Sequence, residues 1–441
     1  MAGAAHYRPV RAVGAVSLTA ISVNTVIGAG IFALPANMAQ LLGPASPWAY
    51  LAAGAAVLLI ALCFAEAGSR FESSGGPYVH ARAAFGEFAG FEVAWMYLLA
   101  RLTALAAVSN TFSAYLGYFR PSLQQGAGRL FAITVLIAIL TATHLMGVRL
   151  GTAVNNLFTV GKLLPLLAFC LAGLFLLDKH TIAATPLPAP YSLQQASLLL
   201  MFALGGFEGA SVPSEEVMDP KKSVPAAILG SVGLVVTLYL LIQIVSMAAL
   251  PGLAASATPL ASAARGFLGP AGGLMLTVGA LLSTAGTNHA NLFVGPRLLY
   301  AMGRDGCLPS RLARLHPRYR TPAVSILLYA GVAWILAVSS AFAPLAALSA
   351  LARVLMYTST CLAVPVLRRR MPSTFRGFTL PGGAIIPALA LGVCAWLLTG
   401  SSARQAVLAG AALLAGGLLY GIVRRSSRTT RLVGIEPKGA L

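Results

Sequence analysis

Charged residues are scarce in this sequence. Only 9% of the 441 residues are Asp, Glu, Lys or Arg, whereas 58% are hydrophobic and the mean hydropathy is +0.82. Soluble domains usually carry about 25% charged residues. The composition therefore excludes an ordinary soluble domain and predicts an integral membrane protein that is built from α-helices.

Acidic residues are scarcer still, with 11 Asp and Glu against 30 Lys and Arg, so the formal net charge is +19. In a soluble protein this excess would indicate a nucleic-acid partner. Here the excess is better explained by basic loops on the cytoplasmic side of a membrane protein. We therefore expect no nucleic-acid partner.

Motifs of catalysis and cofactor binding are also missing from the sequence. It contains no phosphate-binding loop, no HExxH and no GxSxG, and its five cysteines are scattered without metal-ligand spacing. We expect no enzyme activity, no cofactor and no metal. The cysteines are interpreted as small apolar residues.

The sequence does contain long apolar stretches, and a membrane span needs about 20 such residues. Twelve candidate spans are found, which places both termini on one side: 13–42, 46–67, 86–117, 129–147, 153–177, 191–213, 224–250, 271–301, 323–342, 345–367, 383–400 and 404–423. With a cytoplasmic N-terminus, 21 of the 30 Lys and Arg fall in cytoplasmic segments and 5 in outer segments. We therefore predict a protein of the cytoplasmic membrane with its N-terminal segment 1–12 and its basic tail 424–441 inside. No cleavage site is evident before the first span, which predicts an uncleaved anchor.

Glycine interrupts two of these spans. Span one contains IGAG at 27–30, and span six contains LGGFEG at 204–209. Interrupted spans at corresponding positions of two halves are typical of transporters with inverted repeats. The spacing predicts one repeat over 13–177, a second over 191–367, and two accessory spans over 383–423.

A helix break inside a membrane leaves backbone groups available to a ligand. In span one, the amides of residues 29–31 would face a carboxylate at the start of the second half-helix. The carbonyl of Val26 would suit an ammonium group, as would those of Phe202 and Gly205 in span six. An α-amino acid carries both charges. The alternative is that these glycines serve only close helix packing.

Two charged side chains within the spans are candidates for coupling. Lys162 lies in span five, where burial suits proton exchange, although it can instead pair permanently with backbone carbonyls. Glu208 lies in the break of span six. It is either a proton-coupling group or partner of a cation, or a carboxylate that caps the half-helix.

Other polar and aromatic side chains leave alternatives open. Arg101 and Arg353 are expected to extend their guanidinium groups toward the membrane surface. Phe202 and Phe207 flank the break in span six and are either gates or ordinary core aromatics. His289 is expected to be neutral and hydrogen-bonded. Three hydroxyls of span eight either line a cation site or bond back to their own helix, namely Ser283, Thr284 and Thr287.

Four stretches resemble the amino acid–polyamine–organocation (APC) superfamily, in its bacterial amino acid permease branch. They are VIGAGIFALPA in span one, FAEAGSRFESSGGPYVHARAAFGEFAGFEVAWMYLL at 64–99, MFALGGFEGASVPSEEVMDPKKSVPAAI at 201–228, and RLLYAMGRDGCLPSRLARLHPRYRTPAVSILL at 297–328. The resemblance covers about residues 10–425 and implies a fold of twelve transmembrane helices. Two five-helix inverted repeats with discontinuous helices 1 and 6, plus two accessory helices, would operate by alternating access.

The resemblance also implies roles for individual residues. Ala29 and Gly30 match positions whose amides hold the substrate carboxylate, whereas Val26, Phe202 and Gly205 match positions whose carbonyls hold the amino group. Phe202 would also gate the site. The full predicted substrate-binding set is Val26, Ile27, Gly28, Ala29, Gly30, Phe202 and Gly205, with Phe202 and Phe207 as gates and Lys162 and Glu208 as coupling residues.

The sequence thus predicts a secondary transporter of amino acids. Lys162 matches a family lysine at the place where sodium-coupled relatives bind sodium, which favours proton coupling or exchange without sodium. No additional acidic residue is evident for a substrate side chain, so neutral amino acids are favoured. A transporter of cationic amino acids or polyamines is the alternative within the family, and a channel or pore is the alternative of another class.

Overall fold

The computed structural model describes residues 14–71, 75–146, 151–176, 187–211, 217–319, 321–370 and 377–432. These ranges contain helices and no β-strand, which confirms the all-helical class. Seven helical stretches within them are long and apolar enough to cross a membrane, and four shorter apolar helices accompany them.

The helices follow one another along the chain with short connections. In order they are α1 (Ala15–Val26), α2 (Gly30–Leu42), α3 (Ser46–Ser69), α4 (Pro77–Phe85), α5 (Glu87–Leu116), α6 (Gly126–Leu145), α7 (Gly151–Gly173), α8 (Pro190–Leu204), α9 (Pro220–Ala249), α10 (Pro259–Arg304), α11 (Ala323–Ser339), α12 (Phe342–Arg370), α13 (Ile385–Thr399) and α14 (Ala403–Leu432). Short 3₁₀ helices join some of them, among which Phe207–Ser211 follows α8.

Each of the twelve predicted spans is covered by at least one of these helices. Span one corresponds to α1 and α2, and span six to α8 with the 3₁₀ helix Phe207–Ser211. The sequence predicts a second half-helix over 32–42 in span one, and the structure has this helix begin two residues earlier, at Gly30. Segment 1–12 and the end of the basic tail lie outside the described residues. Twelve membrane crossings remain a prediction.

The interrupted helices lie among long uninterrupted ones. Helix α5 packs against α10, α11 and α12, while α3 packs against α9. Helix α1 contacts α9, α8 contacts α3 and α12, and α7 contacts α10. Both breaks are therefore surrounded by protein, which is the environment where irregular backbone is tolerated at membrane depth.

Small residues set the closest of these helix contacts. A Cβ placed on Gly54 would lie 2.6 Å from Val236 Cγ1, and one on Gly68 would lie 3.0 Å from Val224 Cγ1. Both pairs join α3 to α9. Close approach at small residues is the usual way helices associate in membranes, because lipid provides no hydrophobic driving force between them.

One end of α3 is held by a buried carboxylate. Glu66 accepts hydrogen bonds from Arg70 Nη2 at 2.7 Å, from Arg368 Nε and Nη2 at 2.7 and 2.5 Å, and from the Leu380 amide at 2.9 Å. These donors come from α3, from α12 and from the segment before α13. The interaction therefore ties three separate parts of the chain together at one end of the helix bundle.

Candidate functional site

The break in span one leaves three backbone amides outside helix hydrogen bonding. Helix α1 ends at Val26 and α2 begins at Gly30. The first donor of α2 is Phe32, whose amide bonds the Ala29 carbonyl at 3.0 Å. The amides of residues 29–31 precede this donor at the positive end of α2, where the first amides of a helix have no intrahelical acceptor.

The break in span six is stabilised by its own acidic residue. Helix α8 ends at Leu204, and the Gly206 amide donates to Glu208 Oε2 at 2.7 Å. In a continuous helix this amide would instead bond the carbonyl of Phe202. Gly206 has φ +126°, a conformation that residues with a side chain rarely adopt. Glu208 therefore caps the break, as one of the sequence alternatives proposed.

The two breaks cross in direct backbone contact. A Cβ placed on Gly206 would lie 2.8 Å from the Thr25 carbonyl oxygen and 3.1 Å from Val26 Cα. Similarly, a Cβ on Gly30 would lie 2.4 Å from Ala203 Cβ. The close-packing alternative is therefore correct for Gly30. The same contact brings the amides of residues 29–31 beside the end of α8.

Lys162 holds the end of α1 from the neighbouring helix α7. Its Nζ donates to the carbonyls of Asn24 at 2.8 Å and Ile27 at 2.9 Å, and its side chain is only 1% exposed. This is the pairing with carbonyls that the sequence left open. It also uses the carbonyl of Ile27, a residue that the sequence assigned to substrate binding.

Hydroxyl groups approach the remaining carbonyls of the first break. Tyr239 OH lies 3.4 Å from the Val26 carbonyl, and Ser283 Oγ lies 3.4 Å from that of Gly28. The neighbouring hydroxyls of Thr284 and Thr287 bond back to carbonyls of α10. Of the three span-eight hydroxyls, Ser283 is within hydrogen-bond distance of a carbonyl of the break, and Thr287 packs beside it, since a Cβ on Gly28 would lie 3.3 Å from Thr287 Oγ1. Tyr239 is a contact that the sequence did not indicate.

Arg353 pairs with Glu208 inside the protein. Arg353 Nη1 lies 2.5 Å from Glu208 Oε1, and Tyr357 OH donates to Glu208 Oε2 at 3.0 Å. Arg353 is 6% exposed and Arg101 is 4% exposed. The prediction that both arginines reach the membrane surface was wrong, because each guanidinium finds a polar partner within the bundle.

A signal for this pairing exists in the sequence. Arg353 and Tyr357 are four residues apart, and so are Tyr97 and Arg101, whose Nη2 donates to the tyrosine hydroxyl. Residues at this spacing share one helix face. An arginine in the middle of a span with a tyrosine on the same face indicates a buried polar cluster rather than a side chain that reaches the surface.

The two candidate gates lie in different aromatic contacts. Phe202 meets Phe342 edge to face with ring centres 5.6 Å apart. Phe207 is fully buried, and its ring centre lies 5.6 Å from that of Phe64 and 5.3 Å from that of Tyr357. Phe342 begins α12 and Tyr357 lies in its second half. The two phenylalanines therefore pack against different parts of α12.

His289 lies against a second histidine that the sequence did not connect with it. Its ring centre is 4.3 Å from that of His144, and His144 Nε2 lies 3.1 Å from the His289 carbonyl oxygen. Among the described residues, no group of three His, Cys, Asp or Glu is arranged to hold a metal. Four of the five cysteines are buried and all five are free thiols.

Comparison with known proteins agrees with this architecture. The family model described as amino acid permease matches residues 13–413. The chain belongs to the amino acid permease family. The permease match includes both breaks and every residue of the candidate site.

Three similar proteins come from Bacillus subtilis (strain 168). The methylthioribose transporter is 30% identical over 407 residues, which cover 88% of each chain. The branched-chain amino acid permease BcaP is 27% identical over 88% of this chain and 87% of its own. The serine/threonine exchanger SteT is 26% identical over 94% of this chain and 97% of its own. Members of the family are transporters rather than enzymes, and this permease-family chain is a membrane protein.

Proposed function

We propose that this protein is a secondary transporter that carries amino acids across the cytoplasmic membrane by alternating access. The observation that carries the proposal is the crossing of the two breaks, where Gly206 meets the backbone of Thr25 and Val26. The crossing brings free amides of one interrupted helix next to the end of the other. An α-amino acid requires both a carboxylate site and an ammonium site within a few ångströms of each other.

The proposed carboxylate site is formed by the amides of Ala29 and Gly30, and the ammonium site by the carbonyls of Val26, Phe202 and Gly205. The Phe202 carbonyl is a suitable acceptor because the amide that would bond it in a helix is turned toward Glu208. The carbonyls of Ile27 and Gly28 are less suitable, since Lys162 and Ser283 already approach them. Ile27 and Gly28 would shape the site instead.

Helix contacts support the proposed inverted repeats over 13–177 and 191–367. Each span of the first repeat corresponds to the span five positions later in the second repeat. The contact of span 1 with span 7 (α1 with α9) then corresponds to the contact of span 6 with span 2 (α8 with α3). In the same way, the contact of span 3 with span 10 (α5 with α12) corresponds to the contact of span 8 with span 5 (α10 with α7). This correspondence is expected of a bundle with internal two-fold symmetry. The proposal also includes twelve spans, accessory helices over 383–423 and both termini in the cytoplasm.

The cations of the two repeats correspond as well. Lys162 is the twelfth residue of α7, and Arg353 is the twelfth residue of α12. Each contacts the break of the first span in its own repeat, Lys162 through carbonyls and Arg353 through Glu208. The ammonium of Lys162 supplies these carbonyls with a cation from the chain itself, which supports transport without sodium. Lys162 and Glu208 are the proposed coupling residues for a proton or for exchange.

Neutral substrates are favoured over cationic amino acids and polyamines in this proposal. Among the described residues, Arg353 and Arg101 both interact electrostatically with Glu208, the glutamate at the second break, so a cationic side chain would meet a surplus of positive charge. The names of two relatives refer to branched-chain amino acids and to serine and threonine, whose side chains are neutral. Phe202 and Phe207 would close over the substrate.

Transport by the purified full-length protein in proteoliposomes tests the proposal. Uptake and exchange of labelled amino acids would be followed with and without a proton gradient, and with potassium replacing sodium. We expect saturable flux that a restricted set of amino acids inhibits competitively and that sodium does not alter. Absence of flux for every amino acid would refute the function, whereas flux without saturation would favour a pore.

A further inference from the structure

A buried group of polar side chains lies beside the second break. It consists of Tyr97 and Arg101 from α5, Tyr329 from α11, and Arg353 and Tyr357 from α12, which interact with one another electrostatically, and we call it the arginine cluster. Arg101 is the fifteenth of the thirty residues of α5, which places it near the middle of that helix. Glu208 connects the arginine cluster to the break through Arg353 and Tyr357.

The charges of this region do not balance. Glu208 is the one carboxylate that bonds either guanidinium within the described part of the chain. Arg101 otherwise donates to neutral oxygens, those of Tyr97 and of the Asn291 side chain. Within the described ranges, one positive charge is therefore left without a counter-ion. An unpaired charge within a membrane protein is expensive and usually marks a functional site.

Several hydrogen-bond donors of the arginine cluster also lack an acceptor among the described residues. Arg101 Nε, Arg353 Nε and Tyr329 OH are buried and have no partner among the described residues. Each can donate a hydrogen bond, and a buried donor without an acceptor costs about 1–3 kcal/mol. The part of the region that the structure describes thus offers these donors no negatively charged acceptor. A neutral group could accept the hydrogen bonds but would leave the positive charge unbalanced. A cationic group would add to that charge.

The arginine cluster also touches the proposed substrate site directly. A Cβ placed on Gly205 would lie 2.8 Å from Arg353 Cδ and 2.9 Å from Arg353 Nη1. No side chain of the break therefore separates Arg353 from the backbone whose carbonyl is proposed to hold the substrate amino group. A substrate bound there would therefore lie beside the guanidinium of Arg353.

We propose that the arginine cluster binds a negatively charged group together with the substrate. This group is either the side-chain carboxylate of an acidic amino acid or a small free anion that accompanies a neutral amino acid. The inference rests on the proposed transport function and deepens it, because it adds a charge requirement that the backbone sites for the α-amino and α-carboxylate groups do not impose.

Glutamate and glutamine form the decisive pair of ligands, since they differ in charge but hardly in size. The melting temperature of the purified full-length protein would be titrated with each in chloride-free gluconate buffer, and with lysine as a cationic control. A ligand that binds the native state raises this temperature by mass action. We expect glutamate to act at a concentration at least tenfold lower than glutamine, and lysine to have no effect.

Chloride distinguishes the two sources of the negative charge. If glutamine stabilises the protein only when chloride is added, the anion is a free one, and the proposal holds in that form. Equal titration by glutamine and glutamate without any effect of chloride would overturn the inference while leaving amino acid transport intact. Failure of every amino acid to stabilise or to be transported would overturn the proposed function, and the inference with it.

Three variants localise the effect. Arg101→Gln removes the surplus charge but keeps the pair of Glu208 with Arg353, so it should reduce the preference for glutamate at least tenfold. Arg101→Lys should retain part of that preference. The matched control is Arg297→Gln, which removes one charge from α10 where the guanidinium lies 3.4 Å from the centre of the Phe293 ring. Arg297→Gln should keep the full preference.

Glu208→Gln keeps the proposal testable if Arg101→Gln does not fold. This change removes the only carboxylate bound to the arginine cluster among the described residues and increases the surplus of positive charge. The preference for an anion should therefore rise. Weaker anion preference in Glu208→Gln, or equal losses in Arg101→Gln and Arg297→Gln, would overturn the inference.

Discussion

The crossing of the two breaks predicts a sharp difference between two neighbouring glycines. Gly206→Ala would place a Cβ 2.8 Å from the Thr25 carbonyl oxygen, at φ +126°. Gly209→Ala would place a Cβ 3.6 Å from Thr25 Cγ2, which is ordinary contact. Both changes add one methyl group to the same short segment facing the same residue, so Gly209→Ala is a matched control.

The magnitude follows from backbone strain and from overlap. A side chain at a backbone conformation of this kind costs about 1–3 kcal/mol. The overlap with the Thr25 carbonyl adds to this cost, because it involves backbone on both sides and no flexible side chain can move away. We expect Gly206→Ala to destabilise the crossed arrangement by about 2 kcal/mol or more, which corresponds to a roughly 30-fold loss of apparent affinity if binding requires the crossing.

Ligand titration of thermal stability measures this difference. Wild type, Gly206→Ala and Gly209→Ala would be compared with the amino acid that stabilises the wild type most strongly in a broad screen. Gly209→Ala should titrate like the wild type, and Gly206→Ala should need a much higher concentration. If Gly206→Ala titrates like the wild type, or if both variants lose affinity equally, the crossing of the breaks is not the binding site.

Three further substitutions test other parts of the site. Lys162→Met should lower the melting temperature by on the order of 5 °C, because two buried carbonyls lose charge-assisted bonds, and should abolish the pH dependence of transport; unchanged pH dependence in proteoliposomes would exclude a coupling role. Glu66→Gln should lower the melting temperature by weakening the bonds to Arg368, and an unaltered unfolding curve would show that this end of the bundle opens independently. Gly30→Leu should reduce ligand affinity more than tenfold, and a ligand titration like that of the wild type would remove the carboxylate site from span one, whereas lost folding would reflect the contact with Ala203.

The helices and the two breaks were predictable because their signals are local. Runs of about 20 apolar residues mark spans, and the glycines of 27–30 and 204–209 weaken a helix wherever they occur. The break in span one was located to within two residues, since α2 begins at Gly30. These properties depend on composition within a short window of sequence, so no tertiary information was required.

The polar contacts between helices were harder to predict because they join residues far apart in the sequence. Arg353 and Glu208 are 145 residues apart, and an arginine inside a span has two ways to avoid lipid. It can reach the surface or pair within the bundle. A tyrosine on the same helix face favours pairing within the bundle, but it does not identify the distant partner. The same holds for His144 with His289, and for Tyr239 with the carbonyl of Val26.

The direct backbone contact between the two breaks separates two kinds of recognition. The groups proposed to hold the α-carboxylate and α-amino ends of a substrate are main-chain atoms. A substitution leaves these atoms in place unless it changes the backbone conformation. The groups proposed to read the rest of the substrate are side chains such as Arg101 and Arg353. Such a protein can acquire a new substrate by substitution of a few side chains, while the main-chain binding site for the amino and carboxylate groups stays the same. Divergence within the family would then alter what is carried without altering how an amino acid is held.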